Sequence, residues 1–205
     1  MAVIRYPVIA REGVGPLLAT LALAVLVWHF ISLPASLLFW VLALLVVLIF
    51  RDPERDIPAI PLAIVSPADG QVISIEPTRD PYLERPSIRV TVQMNPYGVF
   101  TTRSPVEGKV LEPPNMNDDG NTPHGVWLQT DEGDDVVMVM GRGRLNNVPR
   151  CYIRYGERIG QGMRCGFVHL GGQVEIYLPE HSRPSVSEGD WVRSGSDVLA
   201  KLVHT

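Results

Sequence analysis

The glycine pair at positions 171 and 172 is the most distinctive turn among the residues that could do chemistry. It precedes residues 173–179, in which apolar and polar side chains alternate. This alternation predicts a β-strand with one buried face. A glycine pair before a strand marks a bulge, a bend, or a place where another group approaches the backbone closely. Two interpretations follow: an ordinary bulge, and an active-site turn that lacks its key side chain.

The other candidate reactive groups have simpler explanations in the local sequence. Asp69 precedes a glycine between two predicted strands, and an Asp-Gly step favours a tight turn. Four acidic residues between positions 131 and 135 predict a solvated turn. The two cysteines, Cys151 and Cys165, are too few for a disulfide framework or a cysteine-based zinc site. No metal site is predicted.

Six arginines fall between positions 142 and 164. One interpretation is a set of separate exposed faces. The other is a patch that faces anionic lipid headgroups, where each cation contributes about 1 kcal/mol near the surface. The net charge of −4 and the absence of a basic tail argue against nucleic acid as a partner.

The elements that would position these residues begin with a long apolar segment. Residues 15–50 contain no Asp, Glu, Lys or Arg, and the run is too long for the core of a signal peptide. A proline at position 34 interrupts it near the middle. The sequence therefore predicts either a helical hairpin with both ends on one side of a membrane or one long kinked helix, and it favours the hairpin.

Positive charges flank the apolar segment on both sides. Arg5 and Arg11 precede it, and Arg51 and Arg55 follow it. Both ends of the hairpin are therefore expected to be cytoplasmic, at a bacterial-type inner membrane. The predicted organisation is a membrane-anchoring hairpin at 1–50, a linker at 51–63 and a β domain at 64–205.

Two internal repeats predict the architecture of the β domain. The pattern S-P-x-[DE]-G-[QK]-V begins at Ser66 and again at Ser104. The pattern G-acid-x-[VI]-x-x-G occurs at 156–162 and at 189–195. Such strand–turn–strand repeats are typical of barrel-sandwich domains, so the predicted fold is mainly β. Residues 113–124 are expected to form a long polar loop.

With these elements, the sequence resembles the phosphatidylserine decarboxylase family in its short, membrane-hairpin form. The resemblance covers nearly the whole chain. It rests on the apolar hairpin and on five further segments: 50–55, 64–70, 103–110, 166–179 and 189–201. The resemblance implies a proenzyme in which a serine in a Gly-Ser step attacks the preceding carbonyl. That serine becomes a pyruvoyl group, which forms a Schiff base with phosphatidylserine and accepts electrons as CO₂ leaves.

The family's functional positions are only partly matched in this chain. The position of the pyruvoyl-forming serine holds Gly172, the position of the family Asp before the histidine holds Gly98, and the position of the family His holds Phe100. Asp69, in the first turn of the repeat, is retained. Glycine has no hydroxyl and phenylalanine cannot accept a proton. The resemblance therefore implies a catalytically degenerate member with no pyruvoyl cofactor.

Three functions remain open from the sequence. The first is a decarboxylase-like membrane protein of phospholipid metabolism that binds an aminophospholipid, or pairs with a second copy or an active decarboxylase. The second is an active phosphatidylserine carboxy-lyase, making phosphatidylethanolamine through a variant site. Ser196 lies in the one Gly-Ser step of the sequence, but cleavage there would release a ten-residue tail from a structural turn of the repeat. His169 lies three residues before Gly172, but no serine beside it needs a base. The third is a non-enzymatic lipid-binding or assembly protein.

Overall fold

The computed structural model of the protein describes residues 8–112 and 124–203, with His124 described by its backbone. Apart from His124, the predicted loop at 113–124 lies outside the described residues. The chain divides into two compact units, Met1–Glu54 and Arg55–Thr205. Each unit is described by itself below.

The first unit contains two helices, α1 (Arg11–Phe30) and α2 (Leu33–Ile49). The helices are separate because Pro34 has no N–H to donate and is tolerated only in the first turn of a helix. Ser32 caps α2, and its hydroxyl accepts a hydrogen bond from the Ala35 N–H at 3.4 Å.

Backbone hydrogen bonds join the two ends of this helical unit. The Ala10 N–H donates to the Phe50 carbonyl at 2.8 Å, and the Asp52 N–H donates to the Val8 carbonyl at 2.6 Å. The start of α1 and the end of α2 therefore lie side by side. The predicted helical hairpin is confirmed.

Helix α1 is long and apolar enough to cross a membrane. It has 20 residues and a window of mean hydropathy 1.8, while α2 is shorter, at 17 residues. Because signal sequences and core helices have similar length and composition, this is weak evidence of membrane association. The side of the membrane on which the ends lie stays a prediction.

The described residues of the second unit form fourteen strands. They are β1 (Ala63–Val65), β2 (Gly70–Arg79), β3 (Pro86–Met94), β4 (Thr101–Arg103), β5 (Gly108–Leu111), β6 (His124–Gln129), β7 (Asp135–Met140), β8 (Arg150–Cys151), β9 (Arg158–Ile159), β10 (Arg164–Phe167), β11 (Gln173–Pro179), β12 (Arg183–Pro184), β13 (Trp191–Val192) and β14 (Val198–Lys201).

These strands pair antiparallel in three sheets. The largest has the order β13-β2-β3-β11-β7-β6-β5-β9, and the smaller sheets have the orders β1-β14-β12 and β4-β10-β8. In β11 the side chains of Val174, Ile176 and Leu178 are fully buried, as their alternation predicts. The predicted fold class, mainly β with an N-terminal helical hairpin, is confirmed.

The first sequence repeat forms the same turn twice. The Ser66 hydroxyl donates to the Ala68 carbonyl at 2.8 Å, and the Ser104 hydroxyl donates to the Val106 carbonyl at 2.7 Å. All four residues are buried. The repeat therefore encodes equivalent turns inside the domain.

Each copy of the second sequence repeat packs against one copy of the first, and the two pairs pack in the same way. The Gly195 N–H donates to the Ser66 carbonyl at 2.7 Å, and the Gly162 N–H donates to the Ser104 carbonyl at 2.9 Å. The two sequence repeats thus form two equivalent halves of one core, which places the end of β3 and the start of β11 beside the first half.

Candidate functional site

A cleft of about 500 Å³ opens beside the glycine pair. Three chain segments form it: the end of β3, the stretch after β7, and the turn that leads into β11. The described residues that line the cleft are Gln93, Met94, Pro96, Gly141, Arg142, Arg144, Leu170, Gly171, Gly172 and Gln173. Among these residues, the glycine pair and the two arginines stand out in the local sequence. The others carried no local signal.

The turn before β11 has an unusual backbone. Leu170 and Gly171 both have positive φ angles, 59° and 76°, and the Gly171 N–H donates to the Val168 carbonyl at 3.2 Å. Glycine adopts this left-handed conformation freely, whereas a leucine there costs about 1 kcal/mol. Surrounding contacts must therefore hold the turn in place.

Gly172 is held on both of its sides by backbone atoms. Its carbonyl accepts hydrogen bonds from the Met94 N–H at 2.9 Å and from the Gln93 side-chain amide at 3.2 Å. A Cβ placed on Gly172 would lie 2.6 Å from the Arg142 carbonyl oxygen. Real Cβ atoms do not approach an oxygen so closely, so a backbone carbonyl occupies the side-chain space.

This geometry tests whether position 172 fits a pyruvoyl group. Such a group is made from a serine side chain, and Gly172 supplies no hydroxyl and no room for one. The residues present therefore do not fit the group. No chemical step through a pyruvoyl carbonyl follows from this turn.

Phe100 lies next to the glycine turn. Its side chain is 3% exposed and makes an edge-to-face contact with Phe167, with ring centroids 6.3 Å apart. A Cβ on Gly171 would lie 3.6 Å from the Phe100 ring. Phe100 thus fills the space beside the turn with an apolar ring that has no proton to exchange.

Asp69 uses both carboxylate oxygens in the structure. One oxygen accepts from the Arg55 guanidinium at 2.5 Å, and the other accepts from the Ser194 N–H at 2.7 Å. Its side chain is only 15% exposed. Local sequence indicated a turn former, and the structure adds a half-buried ion pair between residues fourteen positions apart, for which the sequence carries no local signal.

Consecutive amides at the end of β3 bind two of the positions that the family resemblance singles out, 172 and 69. The Met94 N–H binds the Gly172 carbonyl, and the Asn95 N–H binds the Asp69 carbonyl at 3.0 Å. A Cβ on Gly98 would lie 3.6 Å from the Asp69 Cβ. Positions 69, 98 and 172, distant in sequence, therefore meet at the end of β3, and Phe100 lies beside the adjoining Gly171.

Two arginines give the cleft a positive character. The Arg142 guanidinium donates to the Asn146 carbonyl at 3.3 Å, and the Arg144 backbone N–H donates to the Gly171 carbonyl at 3.0 Å. Arg142 is half-buried and Arg144 is exposed. Among the described residues that line the cleft, none is acidic.

The six arginines that the sequence grouped together are separated in the structure. Arg158 pairs with Asp131 at 2.6 Å, and Arg154 lines a different cavity of about 230 Å³ that also contains Cys151. Arg150 and Arg164 lie on β8 and β10. Only the pair at 142 and 144 faces the cleft.

The remaining candidates for alternative chemistry do not line the cleft. His169 stacks edge-to-face on Phe167 with centroids 5.0 Å apart, and Ser196 lies in the turn between β13 and β14. Burial raises the pKa of the Cys165 thiol to about 12, so it stays protonated and is a poor nucleophile. In the described part of the chain, no group of three or more His, Cys, Asp or Glu side chains could hold a metal ion.

Comparison with known proteins identifies the family of the chain. The family model for phosphatidylserine decarboxylase matches residues 42–200. A phosphatidylserine decarboxylase proenzyme of Aromatoleum aromaticum is 37% identical, over 96% of this chain and 97% of the relative. Proenzymes of the same name from Nitrosomonas europaea and Paraburkholderia xenovorans are 35% and 36% identical, over 96% of this chain and 96% and 98% of theirs. The chain therefore belongs to the phosphatidylserine decarboxylase family.

Proposed function

We propose that this chain is a membrane protein of phospholipid metabolism that binds an aminophospholipid headgroup in the cleft and does not decarboxylate it. It would remain a single chain, without self-cleavage and without a pyruvoyl group. Asp69 would then be a structural residue, and Gly172 and Phe100 would mark positions where the family chemistry has been lost.

One observation carries this proposal. Gly172 has no hydroxyl, and the Arg142 carbonyl fills its side-chain space, yet the cleft beside it stays open at about 500 Å³. A cleft that had lost all function would be free to collapse or to fill with side chains. A cleft that keeps its volume and two cations is suited to binding.

The cleft offers the chemistry that such a headgroup needs. The guanidinium groups of Arg142 and Arg144 would donate to phosphate oxygens, and charge-assisted hydrogen bonds of this kind are among the stronger ones. The amide carbonyl oxygens of Gln93 and Gln173 are acceptors for a headgroup ammonium. The proposal therefore requires no covalent step.

Intact mass of the purified full-length protein tests the loss of self-cleavage. A single chain of 22.7 kDa is expected. Two chains, with a blocked N-terminus on the smaller, would contradict the proposal and would favour the alternative of an active carboxy-lyase that makes phosphatidylethanolamine.

Titration with short-chain lipids tests headgroup binding. The full chain in neutral detergent should bind phosphatidylserine more tightly than phosphatidylcholine. Reversing the charge of both Arg142 and Arg144 to Glu should weaken binding at least tenfold, because two charge-assisted contacts of about 1.5–3 kcal/mol are lost. The matched control is Arg183→Glu, at an exposed position on β12 outside the cleft. Equal losses in both variants would contradict a site at the cleft.

The proposal also covers where the chain lies. Residues 1–50 would anchor it in a bacterial inner membrane, residues 51–63 would link, and the β domain at 64–205 would be cytoplasmic. The positive residues on both sides of the apolar segment support this orientation. Protease added to spheroplasts should leave the β domain intact, and protease added to inverted vesicles should digest it.

A partner is the last part of the proposal. A second copy of the chain, or an active decarboxylase, would receive the lipid held in the cleft. Chemical cross-linking in membranes, followed by mass spectrometry, should give a defined product of one of these two kinds. A chain that cross-links only with lipid would contradict it.

A further inference from the structure

The two turns that border the cleft carry conspicuously exposed apolar side chains. Tyr97 follows the lining residue Pro96 and is 87% exposed, and Leu145 follows the lining residue Arg144 and is 69% exposed. These are the two most exposed large apolar side chains among the described residues of the second unit. We call Tyr97, Leu145, Arg142 and Arg144 the cleft rim.

Local hydrogen bonds hold both tips outward. In the first turn, the Gly98 N–H donates to the Asn95 carbonyl at 3.0 Å, and the Tyr97 N–H donates to the Asn95 side chain at 2.9 Å. In the second, the Asn146 N–H donates to the Gly143 carbonyl at 2.8 Å. The tips are thus presented by ordered turns, although burying them would be favourable by the hydrophobic effect.

The composition of the rim fits one kind of surface. Tyrosine places its ring in apolar surroundings and its hydroxyl in water, and leucine enters the acyl boundary, so both suit the membrane interface. Arginines beside them suit lipid phosphates, and each cation near an anionic leaflet strengthens binding about fivefold. A surface that binds another protein would not require interfacial apolar side chains and phosphate-binding arginines together.

Charge also selects which face can approach. The chain has a net charge of −4, so the chain as a whole is repelled by an anionic bilayer. The described lining of the cleft has two arginines and no acidic residue. This face therefore meets an anionic surface with attraction where the chain as a whole does not.

We propose that the cleft rim docks on the surface of an anionic phospholipid bilayer, with Tyr97 and Leu145 entering the interfacial layer and Arg142 and Arg144 contacting phosphates. Docking would place lipid headgroups at the mouth of the cleft. It extends the proposed function but does not depend on headgroup selectivity, because surface contact requires only anionic lipid.

A fluorescent probe at the rim tests the docking. Leu145→Cys is labelled with an environment-sensitive dye in a Cys151→Ser background, and Cys165 stays unlabelled because it is buried. The matched control carries the dye at Trp191→Cys, which is 65% exposed on β13 and outside the cleft. Both full-length proteins are reconstituted into vesicles of phosphatidylcholine with about one-third phosphatidylglycerol, and into vesicles of phosphatidylcholine alone.

Quenching by aqueous iodide is the readout. On the anionic vesicles, the iodide quenching constant of the probe at 145 should fall about fivefold relative to the probe at 191, with a blue-shifted emission. On neutral vesicles the two probes should be quenched alike. Replacing both arginines with glutamine should abolish the difference on anionic vesicles. Both proteins share one distribution of orientations in the vesicles, so the ratio cancels that effect.

Three results would overturn the docking: equal quenching at 145 and 191 on anionic vesicles, equal protection on neutral and anionic vesicles, or protection that survives loss of both arginines. None of these bears on lipid titration in detergent, so docking and headgroup binding fail separately. Loss of phosphatidylserine preference with intact protection at 145 would overturn the headgroup site and leave the docking standing.

Discussion

The same turn occurs in both halves of the β core, but its acidic residue has different surroundings in each half. At Gly70 and at Gly108, a Cβ would lie 2.0 Å and 2.3 Å from a backbone carbonyl of the neighbouring strand, so both turns require glycine for the same reason. The residue before each glycine is acidic. Asp69 is half-buried and paired with Arg55, whereas Glu107 is exposed.

This difference distinguishes the role of the repeated turn in core packing from the role of its acidic side chain at the candidate site. The backbone of the turn is the same in both halves, so the repeat determines the packing of the core. Only the half with Asp69 adjoins the end of β3 and the glycine pair. Only in that half is the acidic side chain partly buried. The two halves of the domain therefore differ in the partners of their side chains and not in the course of the backbone.

The largest expected effect concerns the glycine that both turns require. Gly70→Ala and Gly108→Ala should each lower the free energy of unfolding by about 4 kcal/mol, because the added methyl group meets backbone that cannot move aside. Denaturant unfolding in detergent, followed by near-UV circular dichroism, measures it. A large loss in one half and a small loss in the other would contradict the equivalence of the turns.

The second prediction concerns the acidic residue, whose surroundings differ between the two turns. Asp69→Ala should cost about 2 kcal/mol, since it leaves the half-buried Arg55 guanidinium and the Ser194 N–H without their carboxylate. Glu107→Ala, the matched change in the other half, should cost less than about 0.5 kcal/mol because that side chain is exposed. The same unfolding measurement applies, and similar costs for the two changes would show that the pair has no special role.

The third prediction extends the comparison to the glycine pair. Gly172→Ser should lower stability by about 2 kcal/mol, because its Cβ meets the Arg142 carbonyl. The variant should remain a single chain by intact mass. Gly172→Ala is the control, because it has the same Cβ without a hydroxyl and should lose the same stability. A Gly172→Ser protein that splits into two chains would show that the turn can still open for chemistry.

The smallest effect returns to the repeated turns. Ser66→Ala and Ser104→Ala should each cost about 1 kcal/mol, since each removes one buried hydroxyl donor and leaves a carbonyl without it. Equal shifts in melting temperature are expected. A difference greater than twofold between the two variants would mean that the halves are less alike than their hydrogen bonds indicate.

Much of the fold follows from signals that are short in sequence. Pro34 separates two helices because a proline cannot be accommodated in a helix interior, and Val174, Ile176 and Leu178 of β11 are buried as their spacing predicts. The alternation is incomplete, because Tyr177 is buried as well. The repeats correspond to equivalent turns because each is specified by its own serine and glycine. Local physics is enough for the proline break, the apolar spacing of β11 and the serine hydrogen bonds inside each turn, since these depend on residues close in the chain or on their regular spacing.

The site could be predicted only in part. Its positions came from family resemblance, and the glycine pair alone was compatible with an ordinary bulge. The arginine cluster illustrates the limit: six residues close in sequence lie on different strands and turns, and two of them line the cleft. Spacing along irregular segments does not determine which side chains share a surface.

The sequence by itself determined that position 172 has no hydroxyl and that position 100 has no proton acceptor, because these are properties of the residue types. Only the tertiary structure decided that the Arg142 carbonyl fills the space at Gly172, that Arg55 neutralises Asp69, and that a cleft stays open beside the glycine pair. These contacts join residues far apart in the chain. Their distances depend on how sheets pack, which no local pattern specifies.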